Sequence, residues 1–304
     1  MKNLLFISSY PFPPSKGSNL HAFYFLKALS AQFSVHCMFF IQPGHDLPRN
    51  IDTPMRGMDI ESHVICRFMP PKKKGRIFGT LRRLGAFPGI YMDQAVTPEN
   101  LELMGMLIRR HAIDIVHIEH FHYAKYALRI HPPVKKVIVY HDLHHTIYRQ
   151  RAHLERKVIQ KNLLMIDAWK FYLFQKRLDT FVDAKIFLNA DEMAALPKKA
   201  EHIPHIVNQG IVCRKPRQTD IVNLFFIGAC KHPPNMASIE FIIEKVLPLL
   251  VKRTDRFKFN LIGSGTEQFE TLVNRDSTGR FVTIHGFVSD INEALKEMDI
   301  ALFP

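Results

Sequence analysis

His117, His120 and His122 cluster around Glu119, and His141, His144 and His145 around Asp142. Imidazoles beside carboxylates suit proton transfer near neutral pH, hydrogen bonding to a substrate hydroxyl, or metal ligation. The spacings His-x-x-His-x-His and His-x-x-His-His can supply imidazoles to a metal, but no clear carboxylate or cysteine completes a site, so no metal is expected. A nucleophilic triad has no support: no Gly-x-Ser-x-Gly elbow occurs, and Gly263-Ser264-Gly265 lacks that spacing. Gly17-Ser18 closes a Pro-rich loop just ahead of a helical pattern, where free N–H groups and the helix dipole favour an anion. A glycine needed only for the turn reads equally well there.

These residues need a scaffold, and the apolar patterning supplies one. Leu4–Ile7 reads as a strand, Leu20–Ala31 as a helix and Val35–Ile41 as a second strand. A parallel pair of this kind needs a right-handed crossover helix. The alternation continues with strands at 63–68, 113–118, 134–140 and 185–188 and a helix at 98–111. The long stretch Tyr148–Leu178 reads as amphipathic, with Leu163, Ile166, Trp169, Leu173 and Leu178 on one side and Arg/Lys on the other. Pro197, Pro204 and Pro216 then mark the end of a domain. From Val222 a second series begins, with four strands at 222–227, 257–262, 281–285 and 299–303. The fold class is α/β, with two Rossmann-like domains: residues 1–200, a linker at 201–221, and 222–304. A doubly wound domain commonly has about six strands, so the second reads as incomplete.

Composition narrows the partners. The 304 residues are 47% hydrophobic and 23% charged, which excludes a disordered or collagen-like chain. Forty-one Lys+Arg against 28 Asp+Glu leave +13, a balance that favours an anionic partner. Between Ser62 and Met92 lie seven cations and no acid, Lys72, Lys73, Lys74, Arg76, Arg82 and Arg83 among them, interleaved with Phe and Leu. Basic plus apolar suggests contact with an anionic membrane surface; a solvated basic loop reads equally well, and nucleic acid is disfavoured because no binding motif accompanies the charge. The four cysteines form no CxxC pair and read as reduced thiols. The first apolar run is too short for a signal-peptide core or a membrane span, so the expected compartment is the cytoplasm, with peripheral attachment to the membrane face.

In order along the chain, "SSYPFPPSKGSNLHAFYFLKALS", "DIVHIEH", "VYHDLHH", "FIGACKHPPN", "LIGSGTE", "IHGFVSDINEAL" and "DIALFP" resemble the GT-B glycosyltransferases, and among them the retaining group called family four. The resemblance implies two Rossmann-like domains facing across a cleft and a nucleotide-sugar co-substrate, with no bound cofactor. It implies that His141 contacts the transferring sugar or the acceptor hydroxyl, that Asp142 orients it, and that Glu119 lines the same cleft. On the donor side it points to Gly17, Gly228, Lys231, Asn235, Gly263, Gly265 and Phe287, although a solvated lysine (Lys231), a packing GxG (Gly263 and Gly265) and a core phenylalanine (Phe287) remain open for four of these. The acceptor would be a glycan, a lipid-linked glycan or another hydroxyl compound. Two departures stand out: Pro204-His205-Ile206-Val207-Asn208 replaces the family's "PNGVD", and no residue corresponds to its E-x7-E motif. The expectations that follow are a truncated second domain and poor turnover. The rival readings are an inactive relative that keeps acceptor binding, and a non-catalytic basic protein bound to membrane or nucleic acid.

Overall fold

The computed structural model describes residues 1–12, 17–41, 55, 57–67, 83–88, 92, 95–205, 220–230, 232–275 and 277–304. The chain divides into two units, Met1–Val207 and Asn208–Pro304.

The first unit is built on seven strands: β1 (Asn3–Ser9), β2 (Ser34–Ile41), β3 (Ile60–Arg67), β4 (Ile115–Ile118), β5 (Lys135–Tyr140), β6 (Ala184–Phe187) and β7 (Ala200–His202). They lie side by side in the order β3-β2-β1-β4-β5-β6-β7, and every pairing is parallel. Such a sheet is buried on both faces, so its strands are continuously apolar. Alternation then sorts the side chains: Leu5, Ile7, Met38 and Phe40 join one core, Leu4, Phe6, Cys37 and Phe39 the other. β7 pairs with β6, and for that reason the unit runs past residue 200, where the sequence suggested a boundary. Helix α1 (Gly17–Ser30) makes the β1-to-β2 crossover and begins at Gly17 itself, three residues ahead of its first apolar position.

One sequence reading is reversed by the structure. Tyr148–Leu178 is two helices, His144–Leu154 and Val158–Leu178, separated where Glu155 turns extended and its carboxylate accepts from the Lys157 amide at 2.9 Å. The apolar side read from the sequence does not form the buried face of the second helix: Ile166, Trp169 and Leu173 are exposed. Leu178 alone of that set is fully buried, in a face shared with Asp167, Lys170 and Phe174. The buried charges are satisfied locally. Lys170 Nζ donates to the carbonyls of Arg83, Leu84 and Ala86 at 2.9, 2.5 and 2.9 Å, and Arg83 Nη2 pairs with Asp167 at 2.6 Å. Arg83 is therefore drawn inward rather than offered to a membrane; Lys72, Lys73, Lys74, Arg76 and Arg82 lie outside the described residues.

The second unit has β8 (Val222–Ile227), β9 (Phe257–Ile262), β10 (Val282–Gly286) and β11 (Ile300–Ala301), parallel in the order β10-β9-β8-β11. Its core is a separate cluster around Phe226, Phe259, Leu261 and Ile239. Cys37, Cys66 and Cys230 are free and buried, as reduced thiols should be; burial pushes the Cys66 thiol up to about 11. No described helix is long and apolar enough to cross a membrane.

Candidate functional site

In the first sheet the strand order reverses between β1 and β4, and ligands of open α/β sheets bind beyond the carboxyl ends of strands at such a switch point. Glu119 follows β4 directly, and its amide donates to Ile7 O of β1 at 2.9 Å, which fixes the residue at the reversal. Its side chain is fully buried. Oε2 accepts from His117 Nε2 at 2.8 Å and Oε1 from His141 Nε2 at 3.0 Å. Burial by itself would raise this carboxyl, but the two imidazole hydrogen bonds prevail and hold it well below the usual carboxylate range. Glu119 is thus an ionised, enclosed acceptor. Because no edge of it reaches the surface, it positions His141 instead of lining a cleft.

His141 comes off the end of β5 with its ring stacked on His120, centroids 4.7 Å apart and planes 4° from parallel. Its other ring nitrogen, Nδ1, is buried and has no hydrogen-bond partner among the described residues. His120 Nδ1 sits 3.4 Å from Ser8 Oγ at the end of β1. Asp142 is exposed beside His141, and its carbonyl lies 3.4 Å from His144 Nδ1.

Two participants escaped the sequence reading. His21, in the second turn of α1, is 1% exposed, with no hydrogen bond to either ring nitrogen among the described residues and Nε2 3.7 Å from Glu119 Oε1; burial brings it down to about 4 despite that carboxylate. His205 approaches it edge-on at 5.4 Å. Neither has a sequence neighbour that marks it, since a lone histidine on an apolar helix reads as core. His21, Glu119 and His141 bring three ligand-type atoms within 4.8 Å of one another, the set that could hold a metal among the described residues. Beside this cluster, His122, His144, Tyr148, Arg151 and Phe171 line a cavity of about 240 Å³.

In the second unit the glycine turns are tied to one another. Gly228 N donates to Ile262 O at 3.0 Å, Gly263 N to Gly286 O at 2.8 Å, and Cys230 N to Ser264 O at 3.0 Å. Gly263 has φ +140°, and a Cβ there would lie 2.0 Å from Gly228 O; at Gly228 it would lie 2.6 Å from the Asn235 amide nitrogen. These two glycines are required by packing, with their own amides already used. Asn235 donates to Ala229 O at 3.0 Å and braces the same turn. Gly265, at φ +82°, opens the next turn. Phe287 is 74% exposed, which removes the core-packing reading. Lys231 lies outside the described residues.

This geometry predicts a sharp contrast. Gly263→Ala should destabilise the second unit by about 3 kcal/mol or more, because backbone strain and a steric overlap act together. Gly105→Ala, in the helix Pro98–Arg110 where a Cβ would meet only Arg109 Nη1 at 3.4 Å, should be neutral or stabilising by up to ~1 kcal/mol. Urea unfolding of both variants measures the difference.

Residues 222–304 match the family model described as glycosyl transferases group 1. No curated protein matches the chain in sequence. Among solved structures, TarM superposes with a TM-score of 0.61 at 12% identity, covering 99% of this chain and 80% of that one. The E. coli trehalose-6-phosphate structure bound with UDP-2-fluoro glucose gives 0.56 at 10% identity over 99% and 78%. Medicago truncatula UGT71G1 complexed with UDP-glucose gives 0.54 at 10% identity over 99% and 75%. At such identities the likeness speaks for the fold, and the family match speaks for the second unit. Residues 222–304 are similar to the glycosyl transferases group 1 family, and the chain carries the fold of the GT-B glycosyltransferases.

Proposed function

We propose that the protein transfers a sugar from a nucleotide-sugar donor to a hydroxyl of a glycan or lipid-linked acceptor, with retention of configuration as in family four. The observation that carries this reading is His141 at the end of β5, held by a buried, ionised Glu119 at the switch point of its sheet. With Nε2–H committed to Glu119, His141 keeps Nδ1, a buried nitrogen without a hydrogen-bond partner among the described residues, as the acceptor for a sugar or acceptor hydroxyl. The Glu119 charge behind the ring favours the positive character that develops at a departing sugar. His21, itself enclosed, packs edge-on against His141 and supports it, and Asp142 steadies the exposed rim. The neighbouring cavity suits a sugar-bearing acceptor, since Tyr148 and Phe171 supply apolar ring faces and Arg151 a cation for an acceptor phosphate.

Donor binding belongs to the second unit in this reading. Gly228 and Gly263 shape the turn, Ser264 and Gly265 turn their amides to the diphosphate, Lys231 adds a point charge, and Phe287 lies against the base. Gly17, first residue of α1, adds a helix N-terminus on the acceptor side. No metal is required, because hydrogen bonds already satisfy the Glu119 carboxylate.

The test is nucleotide release from UDP-, GDP- and ADP-sugars with glycan and lipid-linked acceptors. Acceptor-dependent release that falls ~10²-fold or more in His141→Ala and persists in chelator is expected. Release that is absent with every donor while acceptor still binds supports the inactive-relative reading instead.

A further inference from the structure

The helix Val158–Leu178 buries charged and polar groups among its core residues and exposes large apolar side chains. Its inward face holds Asp167, Lys170 and Gln175 with the core residues Phe171, Phe174 and Leu178. The opposite face carries Val158, Met165, Ile166, Trp169, Tyr172 and Leu173, with Trp169 63% and Val158 71% exposed. At 100° per residue these six fall within one stripe about 100–120° wide, and from Val158 to Lys176 it runs about 27 Å. Leu154 at the end of the preceding helix and Ile159 beside the stripe, 84% and 79% exposed, extend it. A stripe of this size on a soluble surface marks an interaction site.

Charge tells which partner fits. Arg156, Lys157, Lys161, Lys176 and Arg177 are exposed along the stripe and its ends. Between His144 and Leu178 the only acids are Glu155, half-buried at the turn, and Asp167, already paired with Arg83. A second copy of this chain would bring these cations against their own kind, and protein interfaces are depleted in lysine. An anionic bilayer surface reverses both objections, since lysine and arginine stems lie along the apolar face while their heads reach the lipid phosphates.

We infer that the hairpin His144–Leu178 docks the protein on an anionic membrane surface, with Trp169 and its apolar neighbours inserted at the headgroup boundary and the flanking cations on lipid phosphates. The inference stands on this exposed face alone and does not require sugar transfer. It differs from attachment through residues 67–83, because the inserted element is a helix whose inner face is locked to the body of the first unit by Lys170 and Asp167. The same hairpin contributes Tyr148, Arg151 and Phe171 to the cavity beside His141, so docking would bring that cavity near the bilayer.

Trp169 is the chain's single tryptophan, which makes its emission a site-specific reporter. Vesicles of phosphatidylcholine with phosphatidylglycerol should shift Trp169 emission to the blue, and brominated acyl chains should quench it. Pure phosphatidylcholine should do neither, and salt should weaken the effect. The triple variant Lys157→Gln, Lys161→Gln, Lys176→Gln should partition on the order of 100-fold more weakly by the same signal, at about 1 kcal/mol per lysine near the surface. Its circular dichroism should match the parent. Ile166→Gln with Leu173→Gln should lose quenching even where some sedimentation persists. Sedimentation with anionic vesicles but no Trp169 quenching overturns the inference in favour of another basic segment. A blue shift that follows protein concentration, with a dimer in analytical ultracentrifugation, overturns it in favour of a second copy.

Discussion

Glu119→Gln should lower sugar transfer by ~10²–10⁴-fold, in the range that loss of positioned proton chemistry produces, and do so chiefly in kcat. The carboxylate accepts from two imidazoles at once, His117 on Oε2 and His141 on Oε1. A carboxamide of the same shape has one accepting edge and one donating edge. One of the two histidines must then face N–H against N–H, and the strain is relieved only by moving the proton to the other ring nitrogen. If His141 changes, its Nδ1 ceases to be an acceptor and the group proposed to meet substrate is lost. If His117 changes, a ring only 2% exposed must find a new partner for its proton. Glu119→Ala removes both bonds and leaves two buried imidazoles unpartnered, which should also cost ~3–5 kcal/mol of stability. The two variants separate positioning from mere folding: the Gln protein should keep nearly its parent melting temperature and its donor KM while its pH–rate profile changes shape. A Gln variant with parental kcat would remove Glu119 from the mechanism.

The sequence carried the parts of this arrangement that depend on local pattern. Apolar runs at Leu4–Ile7 and Val35–Ile41 mark strands buried on both faces, Val222–Ile227 marks one buried on alternate residues, and all three form near those limits. His141 was legible because it ends an apolar run, and carboxyl ends of parallel strands bind ligands. The switch point itself was not legible, since nothing in the order of the elements says that β4 returns to the far side of β1. With that pairing unknown, Glu119 read as a cleft residue and not as an enclosed one. His21 was hidden for a related reason: its spacing with Phe25 and Leu26 suits an ordinary core position, and only the folded crossover places it against His141. The stretch Tyr148–Leu178 read as one amphipathic run, and that pattern does not say which side is buried. There Lys170 meets three carbonyls and Asp167 meets Arg83, so charged groups are buried at little cost. The apolar side was left for an interface. Glycines 228 and 263 were found by motif, but the contacts a Cβ would make, with Asn235 at Gly228 and with Gly228 O at Gly263, show that packing accounts for their type.

Acid should unfold the first unit at a pH where most proteins are still secure. His21 and His120 are 1% and 8% exposed. Burial is the leading cause in both: it lowers His21 to about 4 and His120 to about 3, with neighbouring imidazoles adding to the effect and the Glu119 carboxylate opposing it. In the unfolded chain each returns to about 6.5. Between the two values the unfolded state binds more protons, so stability rises with pH there and is lost as pH falls. The loss begins near pH 6.5 and continues to about pH 4 for His21 and about pH 3 for His120. At about 1.4 kcal/mol for each pH unit, the two together remove on the order of 4 kcal/mol by pH 5, against ~5–15 kcal/mol for a typical domain. Glu119 works in the same direction further down: its ionisation is favoured by folding, so its contribution is present above 4.5 and falls away below it. Thermal melts at pH 7, 6 and 5 should therefore show a steep fall in melting temperature across a range where carboxylates alone would change little. His21→Leu should flatten that dependence, because an uncharged side chain packed against Phe25 has no proton to gain on unfolding. Equal melting temperatures at pH 7 and pH 5 would mean that the imidazoles take up protons without leaving the folded state, and that the nest around Glu119 is open to water.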